Sequence, residues 1–189
     1  MTFIHLQEIC FHKKLRKENL SFFLFFSSSL CHNLNILSDS HGLKEPLNYI
    51  RNTYPNADCI IHCGDICLPK EYAKGFIIVA GNCDNPAWYP NGEIIQLEGH
   101  RILILHGHIL FSSSSPNLDA VARCAKRNDC DIAFFGHSHI YCDTMIQGIH
   151  VCNPGSISMS RDGSNPSFMK VHLTQDSFQA ERIDYTPYR

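Results

Sequence analysis

Residues 59–65 read CIIHCGD, an apolar stretch that ends in a glycine and an aspartate. A short apolar run bounded by a turn signal is typical of a buried strand in a sheet that is covered on both faces. The same arrangement occurs four more times, with apolar residues followed by a segment rich in Asp, His or Asn. These segments are Asp39-Ser40-His41, Gly81-Asn82-Cys83-Asp84, His106-Gly107-His108 and Gly136-His137-Ser138-His139.

Helical patterns lie between these strands and favour an α/β fold. We predict strands over residues 34–38, 59–63, 76–80, 101–105 and 132–135, and helices over residues 43–54 and 117–127. Strands that alternate with helices indicate a parallel or mixed sheet covered by helices. Four later strands, predicted over residues 144–146, 150–152, 168–173 and 178–183, are separated by turn signals and favour a second sheet.

The composition is that of one soluble globular domain. The chain has 189 residues, of which 44% are hydrophobic and 18% are charged. Its formal net charge of −2 gives no field that would attract nucleic acid, so no nucleic-acid partner is expected. The 10 cysteines lack the paired CxxC spacing of a structural zinc site, and we interpret most of them as buried, reduced thiols.

Residues 1–32 differ from the rest, and we treat them as an N-terminal extension that precedes a domain over residues 33–189. A basic stretch at residues 12–17 precedes the apolar run at residues 20–26, which is the order found in a signal peptide. The run is too short to span a membrane, and no clear cleavage site follows it. An extension or a misassigned start is the favoured interpretation, with a cytoplasmic location, because a chain rich in cysteine suits a reducing compartment. Export is the alternative if the segment is a signal peptide.

The five polar segments together predict a metal site. The carboxyl ends of neighbouring strands share one edge of a sheet, and side chains two residues apart on an extended segment point the same way. Asp39 with His41, and His137 with His139, can therefore each direct two ligands to one point. Any one of these segments alone would be interpreted as a turn or as structural histidines, but five of them at strand ends rarely arise by chance.

The ligand chemistry indicates two divalent ions. Carboxylate, imidazole and amide groups suit hard or borderline ions, and a carboxylate such as Asp65 can bridge two of them. Two ions about 3.5–4 Å apart can hold an attacking hydroxide and stabilise an in-line displacement at phosphorus. The expected reaction is therefore hydrolysis of a small phosphoester.

In this order, the segments DSHG, GD, GNCD, HGH, GHSH and NPGS resemble the calcineurin-like metallophosphoesterases. The resemblance covers about residues 34–183 and is closest to the small, single-domain YfcE-like phosphodiesterases. It implies a four-layer αββα sandwich, in which two mixed β-sheets are flanked by helices.

Carried onto this chain, the resemblance implies two overlapping ligand sets. The first ion would be held by Asp39, His41, Asp65 and His139, and the second by Asp65, Asn82, His106 and His137. Asn82 and His106 would also take part in catalysis, and Asp84 would orient a neighbouring histidine. Manganese is the expected ion, with zinc, iron and nickel as alternatives.

Substrate contacts are expected from Cys83, His108, Asn153 and Gly155. Many relatives carry a histidine where this chain has Cys83, and a thiol is a poor proton donor to a leaving group. This difference favours diesters and activated esters over simple monoesters. Asn153 and Gly155 belong to the NPGS segment, for which a plain turn is the alternative interpretation.

A protein-interaction scaffold of the same fold, like the retromer subunit, is the alternative function. A scaffold can lose a metal ligand without harm, whereas this chain has all seven expected ligands, so the enzyme is favoured. The sequence does not determine the oligomeric state, and a homo-oligomer is one alternative.

Overall fold

A computed structural model describes residues 32–186 and contains two five-stranded sheets. The N-terminal extension predicted over residues 1–32 lies outside the described residues, apart from His32, which begins the first strand. The first sheet has the order β10-β9-β1-β2-β3, with β1 His32–Leu37, β2 Cys59–His62, β3 Ile77–Ile78, β9 Ser167–Thr174 and β10 Ser177–Asp184. The second has the order β4-β5-β6-β8-β7, with β4 Gly92–Leu97, β5 His100–Leu105, β6 Ile132–Phe134, β7 Tyr141–Ile146 and β8 Ile149–Pro154.

The sheets pack face to face and carry a helix on each outer side, so the predicted αββα sandwich is confirmed. The central layer consists of buried side chains from both sheets, among them Leu34, Ile36, Ile61, Ile102, Ile104 and Phe134. Helix α1 (Glu45–Thr53) places Leu47 and Ile50 against the outer face of the first sheet. Helix α2 (Leu118–Arg127) packs against the outer face of the second sheet. A short 3-10 helix spans Lys70–Ala73.

The alternation of side chains along β5 shows how one strand serves two layers. Ile102 and Ile104 point into the central layer, whereas Leu103 and Leu105 face α2. Fully burying a side chain of this size contributes about 1.5–3 kcal/mol to folding. Both faces of the strand are therefore apolar, which explains the continuous hydrophobic run in the sequence.

The strands that precede the polar segments run parallel. In the first sheet β1, β2 and β3 are parallel, and in the second β5, β6 and β8 are parallel. Strands β4, β7, β9 and β10 pair antiparallel with their neighbours, so both sheets are mixed. The parallel arrangement brings the polar strand ends to the same edge.

Strand β4 is an element that the sequence analysis missed. It forms a hairpin with β5 through Glu98 and Gly99. Most of its side chains are only partly buried, because it lies at an edge of the sheet. Within residues 32–186, neither helix is long and apolar enough to cross a membrane.

Candidate metal centre

The predicted ligands lie on loops that leave the strands at this common edge. Backbone hydrogen bonds tie the loops to one another. The Asp39 N–H donates to the Gly64 carbonyl at 3.0 Å, and the His41 N–H donates to the Asp65 carbonyl at 2.9 Å. The loop that follows β8 of the second sheet joins them, because the Ile157 N–H donates to the Ser38 carbonyl at 3.1 Å.

Most of these ligands have a backbone conformation that is uncommon for residues with a side chain. Positive φ angles occur at Asp39 (56°), His41 (45°), Asp65 (55°), His137 (68°) and His139 (59°). Such strain is concentrated at functional sites, where the surrounding structure must hold it in place. The backbone thus marks five of the seven predicted ligands independently of their chemistry.

One group of potential ligand atoms combines Asp39, His41 and His139. The Oδ1 atom of Asp39 lies 3.1 Å from Nε2 of His139 and 3.9 Å from Nε2 of His41. The two histidine Nε2 atoms lie 3.3 Å apart. A carboxylate oxygen and two imidazole nitrogens therefore converge on one point, as the sequence predicts for the first ion.

A second group combines Asp39, Asp65 and His106. Nε2 of His106 lies 3.4 Å from Oδ2 of Asp65 and 3.9 Å from Oδ1 of Asp39. Among the described residues, Nε2 of His106 and Oδ1 of Asp39 are buried without a hydrogen bond. Buried polar atoms are rarely left in this state, and bound cations would satisfy both of them. The donor atoms present therefore fit divalent metal ions.

The proton positions in the two buried histidines also suit metal binding. Nδ1 of His106 lies 2.8 Å from the Cys63 carbonyl, and Nδ1 of His139 lies 2.9 Å from the Met159 carbonyl. A carbonyl can only accept, so each Nδ1 carries the proton, and in the neutral ring Nε2 keeps its lone pair. Contacts of this kind orient metal-binding histidines in known sites.

The carboxylates of the centre are held in their charged form. Burial raises the pKa of Asp39, but the close approach of His139 and the nearby His106 outweigh burial and lower it. The same opposition lowers the pKa of Asp65, for which His106 is the main partner. Burial lowers the pKa of His106, yet the two carboxylates raise it overall. The two carboxylates therefore remain negatively charged at neutral pH, as ligands of cations must be.

His137 and Asn82 lie at the periphery of these groups. The ring of His137 is centred 5.1 Å from that of His106, and its backbone N–H donates to Oδ2 of Asp39 at 3.2 Å. Burial and the nearby His106 lower the pKa of His137 to about 4. The exposed Asn82 donates its amide to the Cys83 sulfur at 3.2 Å. Their roles as ligands stay predictions.

Within residues 32–186, the hydrogen bonds found for Asp84 come from backbone groups, and its role in orienting a histidine stays a prediction. Its carboxylate accepts hydrogen bonds from the backbone N–H groups of Asp65 and Gly81, both at 2.8 Å, and of Cys67 at 2.7 Å. A single buried acceptor thus joins the loops that follow β2 and β3. The aspartate therefore positions the backbone of Asp65.

Asn153 lies inside the protein beside the loop of His137 and His139, and its contact with substrate stays a prediction. It is fully buried, and its amide donates to the Gly136 carbonyl at 2.9 Å and to Ser138 at 3.1 Å. Its own oxygen accepts from the N–H of Gly155 at 2.9 Å. Gly155 is buried as well, and a Cβ there would lie 2.5 Å from the Ser167 hydroxyl. Both residues shape the loop that carries His137 and His139, which matches the alternative interpretation of a turn.

The serines that follow this turn support the centre and were not singled out from the sequence. The hydroxyls of Ser156 and Ser158 donate to the Asp39 carbonyl at 3.0 and 2.6 Å. They hold the strained backbone of Asp39 from more than a hundred residues away. Serines at alternate positions after a strand are a weak signal, and nothing in the sequence shows which carbonyl they reach.

Cys83 and His108 remain candidates for contact with substrate. Cys83 is exposed, and partial burial, a hydrogen bond with Asp65 and nearby charge raise the pKa of its thiol to about 11. The His108 ring is centred 5.5 Å from that of His106 and 6.2 Å from that of His137. Burial and the nearby His106 lower its pKa.

Comparison with known proteins identifies the same pattern. Residues 33–176 match the model of the calcineurin-like phosphoesterase superfamily domain. A probable metallophosphoesterase of Bacillus subtilis, YsnB, is 33% identical over 148 residues, which are 77% of this chain and 86% of YsnB. The phosphodiesterase YfcE of Escherichia coli is 29% identical over 108 residues, which are 52% of this chain and 53% of YfcE.

Solved structures agree on the fold. A protein of Streptococcus pneumoniae, described as a predicted phosphoesterase, superposes with a TM-score of 0.76 at 25% identity, covering 85% of this chain and 96% of that one. Vacuolar protein sorting 29 of Cryptosporidium parvum superposes with a TM-score of 0.65 at 19% identity, covering 84% of this chain and all of the other. The second likeness concerns the fold alone.

Proposed function

The chain belongs to the calcineurin-like phosphoesterase superfamily, and we propose that it is a phosphodiesterase that works with two divalent metal ions. Its family supports a metal-dependent hydrolase. The diester preference, the number of ions and their identity are our proposal. The convergence of Asp39, His41, Asp65, His106 and His139, with ligand atoms that lack hydrogen bonds, carries it.

The proposed ligands would form two overlapping sets, one for each ion. Asp39, His41, Asp65 and His139 would hold one ion, and Asp65, Asn82, His106 and His137 the other. The ions would supply positive charge beside the phosphate oxygens and a nucleophile at neutral pH. Bound ions would require charged carboxylates and imidazoles whose Nε2 is available. The lowered pKa values of Asp39 and Asp65 and the Nδ1 contacts of His106 and His139 support this assignment.

Strand order supports Asp65 as the ligand shared by both ions. Asp65 follows β2, which lies between β1, the strand that leads to Asp39 and His41, and β3, which leads to Asn82. The side-chain distances instead favour Asp39, because its Oδ1 atom belongs to both groups of ligand atoms. The two observations name different carboxylates, and substitution can decide between them.

A preference for diesters follows from the residues around the ions. An alkyl monoester needs a proton donor for its basic leaving group, and a thiol with a pKa of about 11 holds its proton too firmly to be efficient near neutral pH. His108, a neutral ring beside the centre, would contact the substrate.

We propose manganese as the ion. We also propose a cytoplasmic location, which is supported by eight described cysteines that form no disulfide with one another.

The decisive experiment combines metal analysis with hydrolysis assays on the purified full-length chain. We expect two manganese ions per chain and faster hydrolysis of an aryl phosphodiester than of the matching monoester. His139→Ala should lower the rate at least about 100-fold because it removes a ligand. A protein that binds no metal and hydrolyses neither ester would instead support the scaffold.

A further inference from the structure

Beside the metal centre lies a second cluster of ligand atoms, made of His41, Cys67 and Cys83. A ring nitrogen of His41 and the two sulfur atoms all lie within 4.8 Å of one another. The Cys67 sulfur is 3.9 Å from Nδ1 of His41, on the opposite side of the ring from the Nε2 that faces Asp39 and His139. The cluster therefore shares one imidazole with the proposed catalytic site.

The cluster is open to ions from solvent, and its backbone is fixed. His41 and Cys83 are exposed, and Cys67 is partly exposed. The Cys67 N–H is anchored to the Asp84 carboxylate at 2.7 Å, and the Cys83 N–H to the Asp65 carboxylate at 2.8 Å. These bonds hold the sulfur atoms on two different loops side by side. The same carboxylates place negative charge next to the cluster, which favours a cation.

We propose that His41, Cys67 and Cys83 form a third cation site, which takes a zinc ion at the rim of the metal centre and thereby inhibits the enzyme. Two cysteines and one histidine are the ligand set of an open zinc site whose fourth position is left for water. Thiolates select soft ions, whereas the carboxylates and imidazoles of the metal centre suit harder ones. The two sites therefore differ in the ions that they prefer.

Inhibition follows from the shared imidazole. A neutral imidazole has one lone pair, so it can bind one ion at a time. With an ion on Nε2, Nδ1 of His41 carries the proton and faces the Cys67 sulfur. Zinc on Nδ1 moves that proton to Nε2 and withdraws His41 from the first catalytic ion. Binding at the rim is independent of the proposed function, but the inhibitory effect rests on it.

Binding is tested with cadmium, a thiophilic probe that gives an ultraviolet sulfur-to-metal charge-transfer band. The full-length chain is loaded with manganese under reducing conditions and titrated with cadmium. We expect the band to saturate at one equivalent in the wild type. Cys67→Ser and Cys83→Ser should each weaken the band and lower the affinity at least about tenfold. Cys142→Ser, in the second sheet away from the cluster, is the matched control and should titrate like the wild type.

Thermal melts of all variants show that they are folded. Equal bands in the wild type and both rim variants would overturn the site. Zinc should displace cadmium, and it should inhibit diester hydrolysis by the manganese-loaded wild type at concentrations at least about tenfold lower than those needed for Cys67→Ser. If the cadmium band appears but zinc inhibits the wild type and Cys67→Ser equally, the site exists and the proposed inhibition by zinc is wrong. If the protein hydrolyses no ester, the proposed function fails, and the cadmium titration still decides the site.

Discussion

Single residues at the metal centre combine ligand chemistry with strained backbone. A left-handed conformation costs a residue with a side chain about 1–2 kcal/mol, and five predicted ligands adopt it. The strain is balanced by hydrogen bonds from other loops, such as those of Ser156 and Ser158 to the Asp39 carbonyl. These hydrogen bonds hold the proposed ligands in fixed positions, and such preorganisation favours tight binding.

The first prediction concerns the carboxylate that both ions share. Asp65→Asn should lower the occupancy of both metal sites, because the neutral amide is a weaker bridge between two cations. His139→Ala should mainly empty one site, because this ring belongs to a single group of ligand atoms. Elemental analysis at increasing manganese concentrations measures both variants.

Asp39→Asn distinguishes between the two carboxylates that could bridge. We expect it to lower the occupancy of the first site more than that of the second. If Asp39→Asn loses both ions while Asp65→Asn keeps one, the ligand shared by both ions is Asp39 and not Asp65.

The ligand residues could be predicted from sequence, but several supporting roles could not. Asp, His and Asn at strand ends are visible in the chain, because their spacing reflects the edge of a parallel sheet. The partners of Asp84 and Asn153, most of them backbone groups, reach these residues only through folding. Asp84 lies in the same short motif as the proposed ligand Asn82, so the sequence alone could not separate the two roles.

At the scale of elements, close contact between loops determines where side chains are tolerated. A Cβ at Gly81 would lie 2.0 Å from Oδ1 of Asp65, and one at Gly136 would lie 2.0 Å from the Ser38 hydroxyl. These glycines allow the loops after β3 and β6 to approach those after β2 and β1. Neither loop could move away without displacing a proposed ligand.

Gly81→Ala should therefore weaken metal binding by at least about tenfold, because Asp65 must shift. Gly148→Ala is a suitable control: Gly148 lies in the turn between β7 and β8, has a φ of 82° and leaves space around a Cβ. The control should lose about 1 kcal/mol of stability through backbone strain and keep its metal affinity. Isothermal titration with manganese and thermal unfolding measure the two effects. Equal metal affinities in both variants would contradict the role assigned to Gly81.

In the second sheet, the inner strands β5 and β6 could be predicted more reliably than the edge strands β4 and β7. β5 and β6 are apolar on both faces, and the predicted ranges agree with the structure within a residue. β4 and β7 lie at the two edges of the second sheet. The sequence analysis missed β4 and shortened β7, because a partly exposed strand has polar residues that break the apolar run.

For the whole molecule, the start of the domain is the feature most open to test. We expect a chain that lacks residues 1–31 to fold and to keep its metal-dependent activity, because all proposed ligands lie beyond them. β1 begins at His32, which is buried and pairs with Leu173. A chain that starts at Asn35 also loses the buried Leu34 and should be less stable by about 2–5 kcal/mol. Insoluble protein from the first truncation would show that the earlier residues belong to the core.

The last prediction concerns the loss of stability in acid. His62 is fully buried beside Ser40, and burial lowers its pKa from 6.5 to about 4. As the pH falls below about 6.5, the unfolded chain takes up a proton at this residue that the folded chain refuses. The stability that neutral His62 allows is therefore complete above pH 6.5 and is lost as the pH falls to about 4, by about 3 kcal/mol in all.

Urea unfolding of the metal-free protein measures how the free energy of unfolding changes with pH. The same measurement on His62→Gln, which cannot titrate at this position, is the reference. Because the other ionisable groups are common to both proteins, the difference between the two curves isolates His62. If the unfolding free energies of the two proteins differ by a constant amount from pH 7 to pH 4, His62 has the same pKa in the folded and unfolded chains, and the prediction is wrong.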